Sequence, residues 1–218
     1  MSMEMLESRT EARDYTLERL IMLSDGVFAI AMTLLALELR PPEGWDGLAI
    51  GELWALMWRP TVAFALSFMV IGIYWMSHRR MFGRFRSADL PLTILNLIVL
   101  ALITLVPVVT NLLYEVGPRP GPLTLYICLF ASIGIGNGLI WGYTAFLAPK
   151  LFTEEPTARV KLTVLQILLL VPTMMGVMGL FAWRPGNQWM IVAMLVVGIG
   201  VRFLRAHADK SVKAKAPA

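Results

Sequence analysis

Polar side chains are sparse along this chain, and the apolar stretches between them are long. From Gly26 to Glu38 thirteen residues pass with Thr33 the only polar side chain before the glutamate. Including that stretch as the core of a run from 20 to 39, apolar runs recur at 61–77, 90–113, 123–147, 160–181 and 187–203. A hydrocarbon core of about 30 Å takes about 20 residues of helix per crossing. The pattern therefore predicts an all-α membrane protein with six transmembrane helices per subunit and short connections.

Breakers punctuate these runs. Pro41, Pro42 and Gly44 close the first, Arg59-Pro60 marks the start of the second, and a Gly/Pro-rich turn at 117–122 follows the third. Asn96, Pro107 and Asn111 interrupt the third run, and Pro107 predicts a kink there. Gly134, Gly138 and Gly142 recur every fourth residue in the fourth run, which places them on one face where a neighbouring helix packs closely. Trp45, Trp54 and Trp58 surround a short amphipathic stretch at 47–57 and predict an aromatic belt at one interface.

The first run carries the most information. At 100° per residue with Ile30 as zero, Leu34 falls at about +40°, Leu37 and Arg19 at about −20°, Leu23 at about +20° and Thr33 at about −60°. Asp25 points about 140° away. One face thus holds bulky aliphatics with a hydroxyl at the edge, and the other turns a carboxylate back into protein. The aliphatic stripe is either a plain core stripe or the lining of a path, and the second reading requires several copies around an axis.

Composition narrows the class. Only 16% of the residues are charged against 57% hydrophobic, where soluble domains average about 25% charged. A six-span topology sets fifteen of the nineteen basic residues on the side of the two termini, which the positive-inside rule makes cytoplasmic. Basicity is thereby explained without a nucleic-acid partner. Residues 1–18 mix five acids with two arginines, lack the apolar core of a signal peptide and are read as a cytoplasmic lead-in. Residues 19–206 form the membrane domain and 207–218 a basic cytoplasmic tail of a multi-pass cell-membrane protein. One cysteine, Cys128, excludes an intrachain disulfide, and His78 and His207 lie too far apart in sequence to suggest a metal site. No cofactor is expected.

Ser24, Asp25 and His78 raise the question of an intramembrane hydrolase. Ser24 and Asp25 point about 100° apart on one helix, poor geometry for a triad, and no Gly-x-Ser-x-Gly or His-Glu-x-x-His motif is present. The residues fit a structural role better: a carboxylate inside a membrane helix needs a partner, and Trp75 and His78 end the second run with N–H donors. A polar cluster of Arg19, Ser24, Asp25, Trp75 and His78 is expected to lock the first helix against its own subunit. Glu38 is either a cation-gathering group at an outer mouth or an interfacial carboxylate paired with Arg40. A secondary transporter is the leading alternative class, against which stands the lack of repeated halves and of paired broken helices with midmembrane charges. The enzyme reading is the weaker alternative.

Arg19, the run Ser24-Asp25-Gly26-Val27-Phe28-Ala29-Ile30-Ala31 and Thr33-Leu34-Leu35 resemble the signature of prokaryotic members of the transmembrane protein 175 family of potassium channels. Tyr74-Trp75-x-x-His78-Arg79-x-x-Phe82 resembles the block that closes the family's second helix, and Asn96 and Pro107 fall where its third helix has such residues. Leu23 stands where the family has phenylalanine, and Val108 where it usually has an aromatic. The resemblance implies a homotetramer with four first helices lining a central potassium pathway. It implies hydrophobic constrictions at Ile30, Leu34 and Leu37, narrowest at Ile30, with a hydroxyl ring from Thr33 taking part in selectivity. Nothing resembles the Thr-Val-Gly-Tyr-Gly filter of ordinary potassium channels, so moderate selectivity by dehydration and a hydrophobic gate at the same ring are expected.

Overall fold

The computed structural model describes residues 3–37, 39–40, 50–116 and 119–181. Glu38, Trp45, the run at 187–203 and the tail at 207–218 lie outside them. Among the described residues five stretches are long and apolar enough to cross a membrane: Tyr15–Leu37, Ile50–Phe82, Leu90–Glu115, Pro120–Leu147 and Ala158–Val177. The chain is a helical membrane protein.

Helix α1 runs unbroken from Met3 to Leu37, so the lead-in and the first span share one backbone. Its inward face is Leu17, Leu20, Ser24, Phe28, Ala31 and Leu35, all buried. The spacing of three and four residues makes this one stripe, and it packs on α2 (Ile50–Phe82), α3 (Leu90–Thr104) and α4 (Val106–Glu115).

Helix α2 departs from the expected start at residue 61. It begins at Ile50 and passes through Pro60, so residues 50–57 of the expected interfacial stretch are its first two turns. Proline removes one backbone donor, and lipid offers no water to replace it. One residue on, the Thr61 hydroxyl adds a donor to the Met57 carbonyl at 2.8 Å. An interior proline is thus carried where sequence alone suggests a boundary.

The third run divides as its proline suggests. Asp89 caps α3, its Oδ1 accepting the Leu92 N–H at 3.0 Å, with Pro91 in the first turn. The helix closes at Leu105, whose N–H reaches back three residues to Leu102, and α4 starts with Pro107 in its first turn, where a missing N–H costs nothing.

Helix α5 (Pro120–Gly142) continues as a π turn at Tyr143–Leu147 and a short 3-10 turn at Pro149–Leu151 before α6 (Ala158–Phe181). The glycine face of α5 meets α6: a Cβ on Gly134 would lie 2.2 Å from Pro172 Cγ, and one on Gly138 2.5 Å from Leu169 Cδ2. The α2–α3 and α5–α6 connections are bonded to each other, Arg86 N–H to the Leu151 carbonyl at 2.8 Å and Thr153 N–H to the Arg84 carbonyl at 2.9 Å. Phe82, Phe85, Phe152 and Trp141 pack edge to face beneath this bridge.

Candidate functional site

Burial of one α1 face leaves the opposite face on the outside of the subunit. Leu23, Ile30, Leu34 and Leu37 are exposed, Ile30 at 59% and Leu37 at 65%. Thr33 lies exposed beside them, its hydroxyl donating to the Ile30 carbonyl at 2.8 Å. That bond commits the proton to the backbone and leaves the oxygen lone pairs facing outward. The exposed stripe therefore offers aliphatic surface with one acceptor oxygen at its edge.

The inward face is held by two separate polar contacts. Asp25 and Ser24 point about 100° apart, and each finds a different helix. Trp75 on α2 donates its indole N–H to Asp25 Oδ1 at 2.7 Å. Ser24 donates to the Leu20 carbonyl at 2.8 Å, so its oxygen is free to accept, and Asn96 Nδ2 on α3 donates to it at 2.9 Å. The other end of that amide, Oδ1, faces His78 Nε2 at 2.7 Å. Because the amide nitrogen is already turned to Ser24, the network assigns the proton to His78 Nε2. The imidazole is buried, stacked at 4.1 Å on the Phe82 ring and tilted at 5.5 Å against that of Phe28.

This arrangement corrects the five-residue cluster in one member and enlarges it by another. Arg19 does not join: it is exposed and reaches Tyr15 one turn back, at 3.2 Å from its hydroxyl and 5.5 Å from its ring. It lies about 140° round the helix from Ser24 and so shares the exposed stripe instead. Asn96, fully buried, is the link between Ser24 and His78; the sequence marks it as an interruption of the third run and as a position the family resemblance covers, but gives it no partner. The available signal was an amide in the middle of an otherwise apolar helix, which has to face protein. Asn96 also stands between Ser24 and His78, so the serine has no base in contact and the trio is not a nucleophilic centre. Among the described residues no three His, Cys, Asp or Glu side chains gather as metal ligands.

The sequence profile of the family described as "Endosomal/lysosomal potassium channel TMEM175" matches residues 19–107, which hold both faces of α1, Trp75, His78 and Asn96. A potassium channel of Streptomyces collinus is 43% identical over 95 residues, which are 42% of this chain and 45% of that protein. A potassium channel of Chamaesiphon minutus is 34% identical over 147 residues, 63% of this chain and 72% of the relative. The chain belongs to the TMEM175 family. Its relatives in that family carry the names of channels, not enzymes, while the chain spans less than half the length of the Streptomyces protein. The crystal structure of a lysosomal potassium-selective channel TMEM175 homologue from Chamaesiphon minutus superposes with a TM-score of 0.66 at 24% identity, covering 89% of this chain and 98% of that one. That likeness carries the TMEM175 fold.

Proposed function

We propose that the chain is one of four identical six-span subunits of a potassium channel in the cell membrane, with both termini cytoplasmic and α1 from each subunit around a central path. Ile30, Leu34 and Leu37 form stacked aliphatic rings, Ile30 the narrowest, and Thr33 supplies a ring of acceptor oxygens beside them. The observation that carries this reading is the division of α1 into a face bonded to its own subunit and an opposite face of Leu23, Ile30, Leu34 and Leu37 left outside it. Arg19 and Thr33 share that outer face, which suits water better than lipid. The names of the potassium-channel relatives point the same way.

A narrow aliphatic ring offers an ion no ligand, so passage depends on how readily the ion gives up water. Potassium gives it up more easily than sodium, and selectivity is moderate as a result. The same ring closes by dewetting, so filter and gate coincide. Conduction is passive and needs no cofactor. Glu38, if at the outer mouth, concentrates cations there.

The test is a potassium-gradient flux assay on purified protein in liposomes, wild type beside Ile30→Asn, with sodium as the competing ion. An amide at the ring holds water, so flux should rise several-fold while the preference for potassium falls. A wild type that passes no potassium, or a variant with unchanged preference, would end the assignment of the filter to Ile30.

A further inference from the structure

Away from α1, a cavity of about 350 Å³ opens between α2, α5 and α6 at the end of the subunit that carries the Arg84–Thr153 and Arg86–Leu151 bridge. It is built for an amphiphile. Arg80 and Arg84 stand at its mouth, no acidic side chain lines it, and among the described residues neither arginine has a carboxylate partner. Arg84 is fixed over the Trp141 ring at 5.7 Å, and the indole N–H is already given to the Lys161 carbonyl. Deeper in lies Asn137, 2% exposed: its Nδ2 donates to the Ile133 carbonyl, while its Oδ1 is buried with no hydrogen-bond partner. A buried carbonyl oxygen left so is costly unless a ligand or water donates to it.

The apolar part continues along α2. Leu66, Met69, Ile73 and Met76 are exposed and repeat at three and four residues, making a strip about 15 Å long that runs from the cavity along the helix. We propose that this cavity is a binding site for an anionic phospholipid of the arginine-rich leaflet. The phosphate sits on Arg80 and Arg84, a headgroup hydroxyl donates to Asn137 Oδ1, and an acyl chain lies on the α2 strip. Basic pockets between transmembrane helices bind such headgroups by the same combination of charge and apolar wall. Ile73, Met76 and Arg80 lie on the face of α2 opposite Trp75 and His78, so an occupied site braces the helix that holds α1.

The experiment is native mass spectrometry of the purified full chain after incubation with phosphatidylglycerol, phosphatidylcholine or inorganic phosphate. The wild type should retain phosphatidylglycerol in preference to phosphatidylcholine, and Arg80→Gln with Arg84→Gln should weaken that retention about thirtyfold. Arg80→Lys should restore most of it beside Arg84, and Arg86→Gln, outside the cavity, should leave it unchanged. Leu168→Trp, which fills the cavity and keeps both arginines, should also expel the lipid while the protein elutes as wild type. Equal retention of the two lipids, no lipid on the wild type, or full retention by the double variant would overturn the proposal. So would inorganic phosphate that competes as well as the lipid, since the site would then hold a free anion.

Discussion

At the scale of single residues, the helix that faces two ways depends on two hydrogen bonds of different kind. Trp75 Nε1 to Asp25 Oδ1 at 2.7 Å is a bond to a carboxylate, the class whose loss costs about 1.5–3 kcal/mol. Asp25→Ala should therefore lower thermal stability or assembly in detergent, Trp75→Phe should do the same, and Asp25→Asn, which keeps the acceptor, should cost less than either. An unchanged melting curve for Asp25→Ala would remove the lock. Asn96→Ala breaks two bonds at once and strands the His78 N–H in a dry core, while Ser24 keeps its bond to the Leu20 carbonyl. Hydrogen bonds inside membranes average only about 0.6 kcal/mol each, but the unpaired buried imidazole N–H adds a desolvation penalty of about 1–3 kcal/mol. The penalty dominates, and the melting temperature should fall further than for Ser24→Ala. The two faces of α1 were legible because one helix fixes its own angles. Asn96 was not legible as a partner because its bond to Ser24 spans 72 positions, and the position of Arg19 was misjudged because its charge drew it toward a cluster that its angle does not reach.

At the scale of elements, periodicity located the spans while local breakers misplaced one end. Pro60 looked like a start and is an interior residue, since a helix in lipid keeps its remaining hydrogen bonds rather than stop. Pro107 and Asp89 behave as their residue types dictate, because each sits at a helix start. The glycine face of α5 was readable as a close-packing face, but its partner, α6, was not, because a small-residue stripe says how near a neighbour comes and not which one. The prediction at this scale concerns that contact. Gly134→Ala puts a methyl 2.2 Å from the stiff ring of Pro172, and such overpacking costs about 1–3 kcal/mol. Gly142→Ala meets only Leu165 Cδ1 at 3.4 Å, ordinary van der Waals contact, and gains about 0.8–1.0 kcal/mol of helix propensity. Thermal melts of the two variants should move in opposite directions, and a loss for both would mean that α5 and α6 approach differently from this packing.

For the whole molecule, the deciding feature is the bond between two connections far apart in sequence. Arg86 to Leu151 and Thr153 to Arg84 join the α2–α3 loop to the α5–α6 loop, and the Arg86 Nε adds a bond to the Lys150 carbonyl at 3.0 Å. Two loops paired through their backbones lie on the same side of a bilayer. Charge predicts which side: Arg79 and Arg80 end α2 and Arg84 and Arg86 follow in its loop, while Lys150 lies in the other loop and Arg159 and Lys161 open α6, and the positive-inside rule expects such clusters in the cytoplasm. Arg40, just beyond the far end of α1, is then expected on the opposite side. In a Cys128→Ser background, single cysteines at Lys150 and at the exposed Glu154 should react with a membrane-impermeant maleimide only in inside-out vesicles. A cysteine at Arg40 should react only from the outer face of intact cells. Labelling of Lys150→Cys from outside, or of all three positions from one face, would invert or break the topology. Opposite faces for Lys150→Cys and Arg40→Cys would fix the direction of α1, with Arg19 at the cytoplasmic entrance and Leu37 toward the outside.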